Sequence, residues 1–365
     1  KNILNIFSIK DNNIELFFGL IFVISVVVST LLKVINTWYA VMIANYASAE
    51  IGKEAFKNLL TQEYSFYKKT NSSFYISSLT KKLDSVAVCI QSLLIFISSV
   101  LILLTVFFAF ILSLPKIAFP SITISLIGYF VTMNLVKNEL RKNSKTIASN
   151  QNQVIKLFNE SLEGIREVLI NRLAKVFYDN YFNYEFQIRK AQGINVFIAT
   201  VPRYFFELII IIVIIFLSLY LNSENGSLQN YIPVLGVLIL GAQRSLPIMQ
   251  QCYWAVSHIT GSFSSLKDVV DILNLKQKKF NLNSKIIFKE TIILDNISFK
   301  YGLNDKYILS NLNINFKKNT LNAIVGKSGV GKSTLMELIM GLLYPNIGVI
   351  KIDNIVLDKY NSYLW

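Results

Sequence analysis

Five stretches of the chain stay apolar for the thickness of a lipid bilayer, each bounded by charge or by a helix-breaking pair. Leu16 to Leu32 carries no charge, Lys33 interrupts, and Val34 to Ala49 is uncharged again. That pattern predicts one long helix that crosses a membrane and projects beyond it. Ser85 to Leu114 predicts a second span, Pro115 and Lys116 break it, and Ile117 to Val136 predicts a third. Val201 to Leu221, with an unbroken apolar run from Leu208 to Leu217, predicts a fourth, and Tyr231 to about Ile259 a fifth. A spanning helix needs about 20 mostly apolar residues, and buried helices of soluble proteins rarely stay uncharged so long.

The pattern changes towards the C-terminus. Glu290 to Tyr301 has strand character, with Ile292, Ile293, Ile297 and Phe299 among polar residues. Leu312 to Phe316 alternates apolar and polar, as a half-buried strand does. Thr320 to Val325 reads as a further strand running straight into Gly326. Ser333 to Leu343 reads as an amphipathic helix ended by Tyr344 and Pro345. The resulting division is a membrane domain over 1–265, a linker over 266–285 and a soluble α/β segment over 286–365. Residues 1–13 read either as an outer amphipathic helix, on Ile3, Leu4, Ile6, Phe7 and Ile9, or as the end of another span.

Composition agrees with this division. The 365 residues are 53% hydrophobic and 16% charged, against about 25% charged in an ordinary soluble domain. The net charge of +14 raises the question of nucleic acid. Here the Lys and Arg fall in loops between apolar spans and in the soluble tail, and no basic stripe interleaved with aromatics lies outside the spans. That distribution argues against a nucleic-acid partner and fits contact with anionic lipid head groups. Cys89 and Cys252 lie in apolar stretches as small hydrophobic filler. No metal-ligand spacing exists, and a single histidine, His258, excludes a His-rich catalytic arrangement within the chain.

Loop charge orients the spans. Lys53, Lys57, Lys68, Lys69, Lys81 and Lys82 lie in 50–84, and ten Lys or Arg, from Lys137 to Lys190, lie in 137–192. The connections at Lys116 and at Asn222–Asn230 are short and nearly free of base. Positive loops stay in the cytoplasm, so the two long loops are inside. Five spans then put residues 1–13 outside, and parity predicts a sixth span preceding Lys1.

The chemistry centres on Gly326, Lys327, Ser328, Gly329, Val330, Gly331, Lys332, Ser333 and Thr334. This stretch fits the phosphate-loop pattern G-x-x-x-x-G-K-[ST], in the strand, glycine loop, helix context that the motif requires. Gly326, Gly329 and Gly331 let the backbone turn its N–H groups towards phosphate oxygens, and a helix starting near Gly331 adds its positive dipole end. Lys332 is placed to reach the β- and γ-phosphates, and the Ser333 hydroxyl to ligate Mg²⁺. A glycine turn opening a core helix would not explain the Lys332–Ser333 pair. The implied cofactors are ATP and Mg²⁺.

Residues 297–353 resemble the nucleotide-binding domain of ATP-binding cassette transporters. Phe299, Lys300 and Tyr301, then Ile308 and Leu309, the loop Gly326–Thr334, and Pro345, Gly348, Ile350, Ile352 and Asp353 follow that family's order and spacing. The resemblance implies that Tyr301 stacks on the adenine ring; the plainer reading is an ordinary strand tyrosine. Asn319 and Asn354 stand where the family often has turn glycines, and Asn tolerates left-handed backbone. The resemblance also implies that the catalytic carboxylate lies beyond Trp365, so that this fragment would not hydrolyse ATP unaided.

Five of six spans followed by the N-terminal part of a P-loop domain resemble an exporter-type half-transporter, an α-helical polytopic membrane protein of the inner or cytoplasmic membrane if bacterial. The resemblance implies a dimer with a second half-transporter, nucleotide domains in the cytoplasm, and short coupling helices at the loop tips. Candidates for the latter are Gln62–Lys69 and Gly164–Tyr178, which read equally as solvated loop helices.

Val201–Glu207 and Gly241–Gln251 look like segments of flippases for lipid-linked oligosaccharides and of related polysaccharide exporters. Arg203 and Arg244 fit such a substrate, because an Arg within a span is costly and by default functional. Arg244 lies 13 residues past Tyr231, about 20 Å along a helix, so both arginines fall in the inner half of the membrane. Two guanidinium groups there would clamp a diphosphate. For Arg203 the alternative is pairing with Glu207 or snorkelling to the interface, and Lys33 is a weaker third candidate that reads equally as snorkelling. The expected function is ATP-driven export or flipping of a lipid-linked oligosaccharide or polysaccharide precursor. The alternatives are an exporter of peptide, drug or lipid, and a non-transporting channel or regulator on the same scaffold.

Overall fold

The computed structural model describes residues 14–113, 115–223, 228–275, 285–302 and 305–365. The expectation for residues 1–13 lies outside them, as does much of the expected linker. Two compact units emerge. One comprises the chain up to Ala55 together with Ser73–Leu273; the other comprises Phe56–Ser72 together with Asn274–Trp365.

The first unit is helical. Its long elements are α1 (Ile14–Leu60), α4 (Lys81–Ser113), α5 (Pro115–Glu163), α7 (Ala174–Ser223) and α8 (Leu228–Leu273). The last turn of α1 belongs to the second unit. Each expected span falls in one of these five helices, and Pro115 opens α5 where the second span was expected to break. Three stretches, Phe17–Leu60, Ser72–Leu112 and Ala174–Phe216, are long and apolar enough to cross a membrane among the described residues.

The helices outrun the spans. α5 has 49 residues and α7 has 50, about 75 Å at 1.5 Å per residue, more than twice the hydrocarbon thickness. The charged stretch 137–192 is therefore not open loop. Leu140, Asn143, Ser144, Ile147, Gln151 and Val154 are buried along α5 at helical spacing. Ile147 and Val154 share a core with Ile188 and Ala191 of α7. Asn143 donates to Asn195 at 2.9 Å and Asn150 to Gln187 at 3.0 Å, so polar pairs extend the same seam. Only the tip is short: α6 (Ile165–Ile170) and a turn with Arg172 at φ 54° separate the two helices.

In the spans, Leu103, Tyr129, Met249 and Tyr253 form a core at which α4, α5 and α8 meet. Phe206 of α7 stacks on Tyr129 with ring centroids 4.2 Å apart. Gly128 makes this possible, since a Cβ there would lie 2.5 Å from Phe206 Cε1.

The second unit holds the end of α1, the short helix α2 (Tyr64–Lys69), four strands and α9 (Lys332–Ile339). Strands β1 (Thr291–Phe299), β2 (Leu309–Lys317), β3 (Ile347–Ile352) and β4 (Ile355–Leu357) form an antiparallel sheet in the order β2-β1-β3-β4. Ile292 pairs with Phe316 on one side and with Ile352 on the other. Asn296 and Asn311 sit at positive φ beside shifts in this register, where Asn tolerates the left-handed region. Ile292, Leu294, Ile297, Ile350 and Ile352 of the sheet pack with Leu335 and Leu338 of α9.

Two expectations are corrected here. Thr320–Val325 is not a strand: it joins no ladder of the sheet, and Leu321 and Val325 are 101% and 91% exposed. A strand is defined by its pairing, and a short apolar run alone does not supply a neighbour. The helix after the loop also ends earlier than Leu343. Gly341 adopts φ +71°, its N–H donates to Leu338 O at 3.0 Å, and Leu342 N–H donates to Glu337 O at 2.9 Å. That is a Schellman stop, in which a left-handed glycine satisfies the last carbonyls before any proline is reached.

Candidate nucleotide site

The loop Gly326–Gly331 reaches α9 through two left-handed glycines, Gly329 at φ +83° and Gly331 at φ +100°. A Cβ on Gly331 would meet Ile308 Cγ2 at 2.8 Å and Leu309 Cδ2 at 3.1 Å, so both conformation and space demand glycine there. Leu335 N–H donates to Gly331 O at 2.9 Å and closes the first turn of α9. The N–H groups at the start of that turn have no helical acceptor, which makes a donor surface for an anion.

Lys332 folds back over the loop. Its Nζ donates to Gly326 O at 2.7 Å and to Lys327 O at 2.8 Å. A cation is thus held by two loop carbonyls beside the start of α9, where it can share a phosphate oxygen with the free N–H groups of that first turn. Ser333 is exposed beside it, with its hydroxyl open to a ligand, and Val330 is exposed at the loop tip. These residues fit a nucleotide triphosphate with its Mg²⁺: Gly331 has no room for a side chain, the charge is of the right sign, and Ser333 offers oxygen.

Tyr301 follows β1 and packs edge-on against Phe299, centroids 5.0 Å apart at 87°. Its hydroxyl enters a network. It lies 3.2 Å from Thr334 Oγ1, donates to Glu337 Oε2 at 3.2 Å, and accepts from Lys68 Nζ at 2.9 Å. Lys68 also reaches Glu337 Oε2 at 2.6 Å, and Tyr64 Oη donates to Glu337 Oε1 at 3.0 Å. α2, the end of β1 and α9 therefore converge on one carboxylate. Burial alone would raise the Glu337 carboxyl, but hydrogen bonds from Lys68 and Tyr64 and the Lys68 charge hold it below the usual carboxylate value. Burial likewise opposes the Lys68 charge, and the bonds to Glu337 and Tyr301 outweigh it and raise the ammonium.

The sequence reading had singled out Gln62–Lys69 as a loop-tip helix and Tyr301 as an aromatic contact; Glu337 was missed. The signal was available. Thr334, Leu335, Glu337 and Leu338 form the inward face of α9 by spacing, and a carboxylate among them requires a buried partner. The second loop-tip candidate, Gly164–Tyr178, divides into α6, a turn and the start of α7.

Asn319 adopts φ +59°, as its place in a turn required. At the other expected turn the left-handed residue is Asp353, at φ +52°, rather than Asn354. The Asp353 carboxylate accepts backbone N–H groups of Lys289, Glu290 and Thr291 at 2.8, 2.9 and 2.8 Å and pins the start of β1 to the end of β3.

Arg203 on α7 and Arg244 on α8 are both exposed, and Arg203 forms no ion pair with Glu207. The two helices are held together nearby, where Gln250 Nε2 donates to Ala199 O at 2.5 Å. No contact among the described residues joins the two arginines. Lys33 lies in α1 and is exposed.

The chain is similar to known proteins along most of its length. The ATP-dependent lipid A-core flippase of Wigglesworthia glossinidia brevipalpis is 24% identical over 98% of the chain and 61% of its own length. The flippase of the same name from Coxiella burnetii is 22% identical over 89% of the chain and 55% of its own length. The nisin transport ATP-binding protein of Lactococcus lactis is 44% identical over only 17% of the chain. Among solved structures, a bacterial Atm1-family ABC exporter with ATP bound superposes on 99% of the chain with a TM-score of 0.75 at 15% identity, and the chain covers 64% of it. The chain thus spans about six-tenths of the length of the long relatives it matches. The family model of the ABC transporter transmembrane region matches residues 1–242, and that of the ABC transporter nucleotide-binding region matches 309–364. On both halves, then, this chain is a membrane-spanning member of the ABC transporter family, with the exporter fold.

Proposed function

We propose that the chain belongs to an ATP-driven half-transporter that flips or exports a lipid with a glycan-bearing head group. The observation that carries the reading is the glycine-cradled Lys332, 2.7 Å from Gly326 O, in a chain whose other unit is built of membrane-length helices. In this reading Lys332 binds the terminal phosphates, the backbone N–H groups at the start of α9 orient them, and Ser333 holds the Mg²⁺. Tyr301 presents its ring to the adenine. ATP, when bound, supplies the free energy of its hydrolysis. The assembly is a pair of half-transporters in the inner membrane with the nucleotide units in the cytoplasm.

Flipping of a lipid is supported by two relatives named as lipid A-core flippases that align with nearly the whole chain. The finer assignment, a lipid-linked oligosaccharide or polysaccharide precursor, is supported by the segments 201–207 and 241–251 and by the exposed, unpaired Arg203 and Arg244. Guanidinium groups in a membrane of low dielectric are suited to a diphosphate linkage.

The test reconstitutes the full-length protein in liposomes with head-labelled polyprenyl-diphosphate glycan, with a phosphate-free glycolipid, or with hydrophobic peptides. ATP-dependent movement of the diphosphate glycan is expected, falling about tenfold in each of Arg203→Ala and Arg244→Ala, equivalent to about 1.4 kcal/mol on the barrier. Stimulation by peptides alone would sink the glycan assignment. Equal movement of the phosphate-free lipid would remove the role of the arginines.

A further inference from the structure

The network around Tyr301 uses an atom that base stacking does not need. Stacking requires a ring face, which phenylalanine would supply as well. The Tyr301 hydroxyl nevertheless has its full complement of partners: one donated bond to Glu337 Oε2, one accepted from Lys68 Nζ, and a contact with Thr334 Oγ1. One proton and two lone pairs are all that a phenol has. Glu337 is equally committed, with Tyr64 on Oε1 and Lys68 and Tyr301 on Oε2. The Lys68 ammonium also lies 5.0 Å from the Tyr301 ring centroid and 5.5 Å from that of Tyr64, within cation–π range of both.

From this geometry we propose that Lys68 and Glu337 are positioning residues for the Tyr301 ring, so that the loop helix α2 sets the affinity of the site for the nucleobase. The inference rests on the reading of Tyr301 as the adenine contact. Its physical basis is lever-like. The ring is fixed at one end by the backbone after β1 and by Phe299, and at the other by its hydroxyl. Releasing the hydroxyl frees rotation about both side-chain torsions, and the base then has to order the ring on binding. Because Lys68 is carried by α2 and Thr334 and Glu337 by α9, any shift of α2 against α9 changes the ring before it changes the phosphates. Of the phosphate loop only Thr334 touches this network, through its Oγ1, and no hydrogen bond among the described residues joins the network to Gly326–Ser333.

The experiment separates base from phosphate. The full chain in lipid nanodiscs is titrated with Mg-ATP and with inorganic tripolyphosphate. Wild type is compared with Lys68→Ala, Lys68→Arg, Tyr301→Phe and the Lys68→Ala/Tyr301→Phe double variant. Expected is a threefold to tenfold weaker Kd for ATP in Lys68→Ala and in Tyr301→Phe, with no further loss in the double variant. Lys68→Arg recovers at least half of the effect on a logarithmic scale, and tripolyphosphate binding stays within twofold throughout. Unchanged ATP affinity in Lys68→Ala, or an equal loss for ATP and tripolyphosphate, would overturn the positioning role while leaving the nucleotide site standing. Absence of ATP binding in wild type would instead overturn the nucleotide reading itself.

Discussion

Lys68 and Glu337 stand 269 residues apart in sequence and 2.6 Å apart in space. The contact joins the helix at the tip of the first long loop to the helix that carries the phosphate loop. Glu337 is largely withdrawn from water, at 12% side-chain exposure, whereas Lys68 keeps 33% of its side chain exposed. Glu337 is held below its ordinary value of 4.5, so what it contributes is present above that pH and lost as pH falls through the depressed value. Lys68 is raised above its ordinary 10.5, so its contribution is complete below that pH and is lost only as pH rises through the raised value. Hydrogen exchange over α2, corrected for intrinsic rates, is therefore expected to be flat from pH 5 to 9 and to lose protection on acidification. Glu337→Gln removes that acid limb. An unchanged limb in the variant would show that another group holds α2.

Gly348 in β3 is a backbone requirement. It adopts φ +88°, and a Cβ there would fall 2.3 Å from Asn296 O and 2.4 Å from Asp295 O of β1. Gly348→Ala is expected to cost on the order of 3 kcal/mol, through strain and separation of two paired strands. Backbone exchange in β1 and β3 would then quicken on the order of 100-fold. Gly193→Ala is the control. It lies in α7 with nothing within 4 Å of its Cβ and should stabilise slightly, by up to about 1 kcal/mol. Equal effects at the two sites would contradict the close approach at Gly348.

Asp353 tests the other junction of the sheet. Hydrogen bonds from the Thr291 and Lys289 N–H groups hold its carboxyl below the ordinary 3.8. Its contribution is present above that pH and disappears as pH falls through the depressed value. Asp353→Asn keeps the left-handed backbone but leaves one acceptor oxygen for three donors. The variant should be less stable than wild type at neutral pH, with the difference closing as pH falls through the depressed value and the wild-type carboxyl protonates. Denaturant unfolding at both pH values measures it. A constant difference would mean that charge plays no part.

Lys82 is the largest side chain buried completely in the first unit. Its Nζ donates to Asp268 Oδ2 at 2.5 Å and Asn152 Oδ1 at 2.7 Å, and Ser77 hydrogen-bonds the same Asn152 oxygen. Removing one member of a buried pair strands the other, whereas replacing both with apolar groups is close to neutral. Lys82→Met should lower stability by about 3 kcal/mol, and Lys82→Met with Asp268→Leu should restore most of it. Thermal unfolding in detergent distinguishes these outcomes; a double variant no better than the single would contradict the pairing.

The five long helices were legible because lipid imposes a long uncharged run, and no other solvent does. The projection of α1 was legible too, but the extensions of α5 and α7 were not, because Leu140, Ser144, Ile147, Gln151 and Val154 make a narrow, mixed seam within a strongly charged stretch. The phosphate loop was legible through glycines that a left-handed backbone demands. The strand expected at Thr320–Val325 failed because a short apolar run leading into a glycine loop does not carry the identity of a pairing partner. Glu337 escaped notice for a related reason: its partners Tyr64 and Lys68 come from the far end of the chain. The left-handed Asn319 was predicted by residue type, whereas Asp353 took the position expected of Asn354 because its carboxylate had three N–H groups to bind.

The account stands most directly on Lys332. Wild-type chain and Lys332→Ala are titrated with Mg-ATP in lipid nanodiscs, with circular dichroism confirming that both are folded. Saturable binding in wild type, weakened at least tenfold in the variant, about 1.4 kcal/mol or more, is the predicted result. Equal affinity in the two proteins, or no binding in wild type, would contradict the claim that this loop holds the phosphates of ATP.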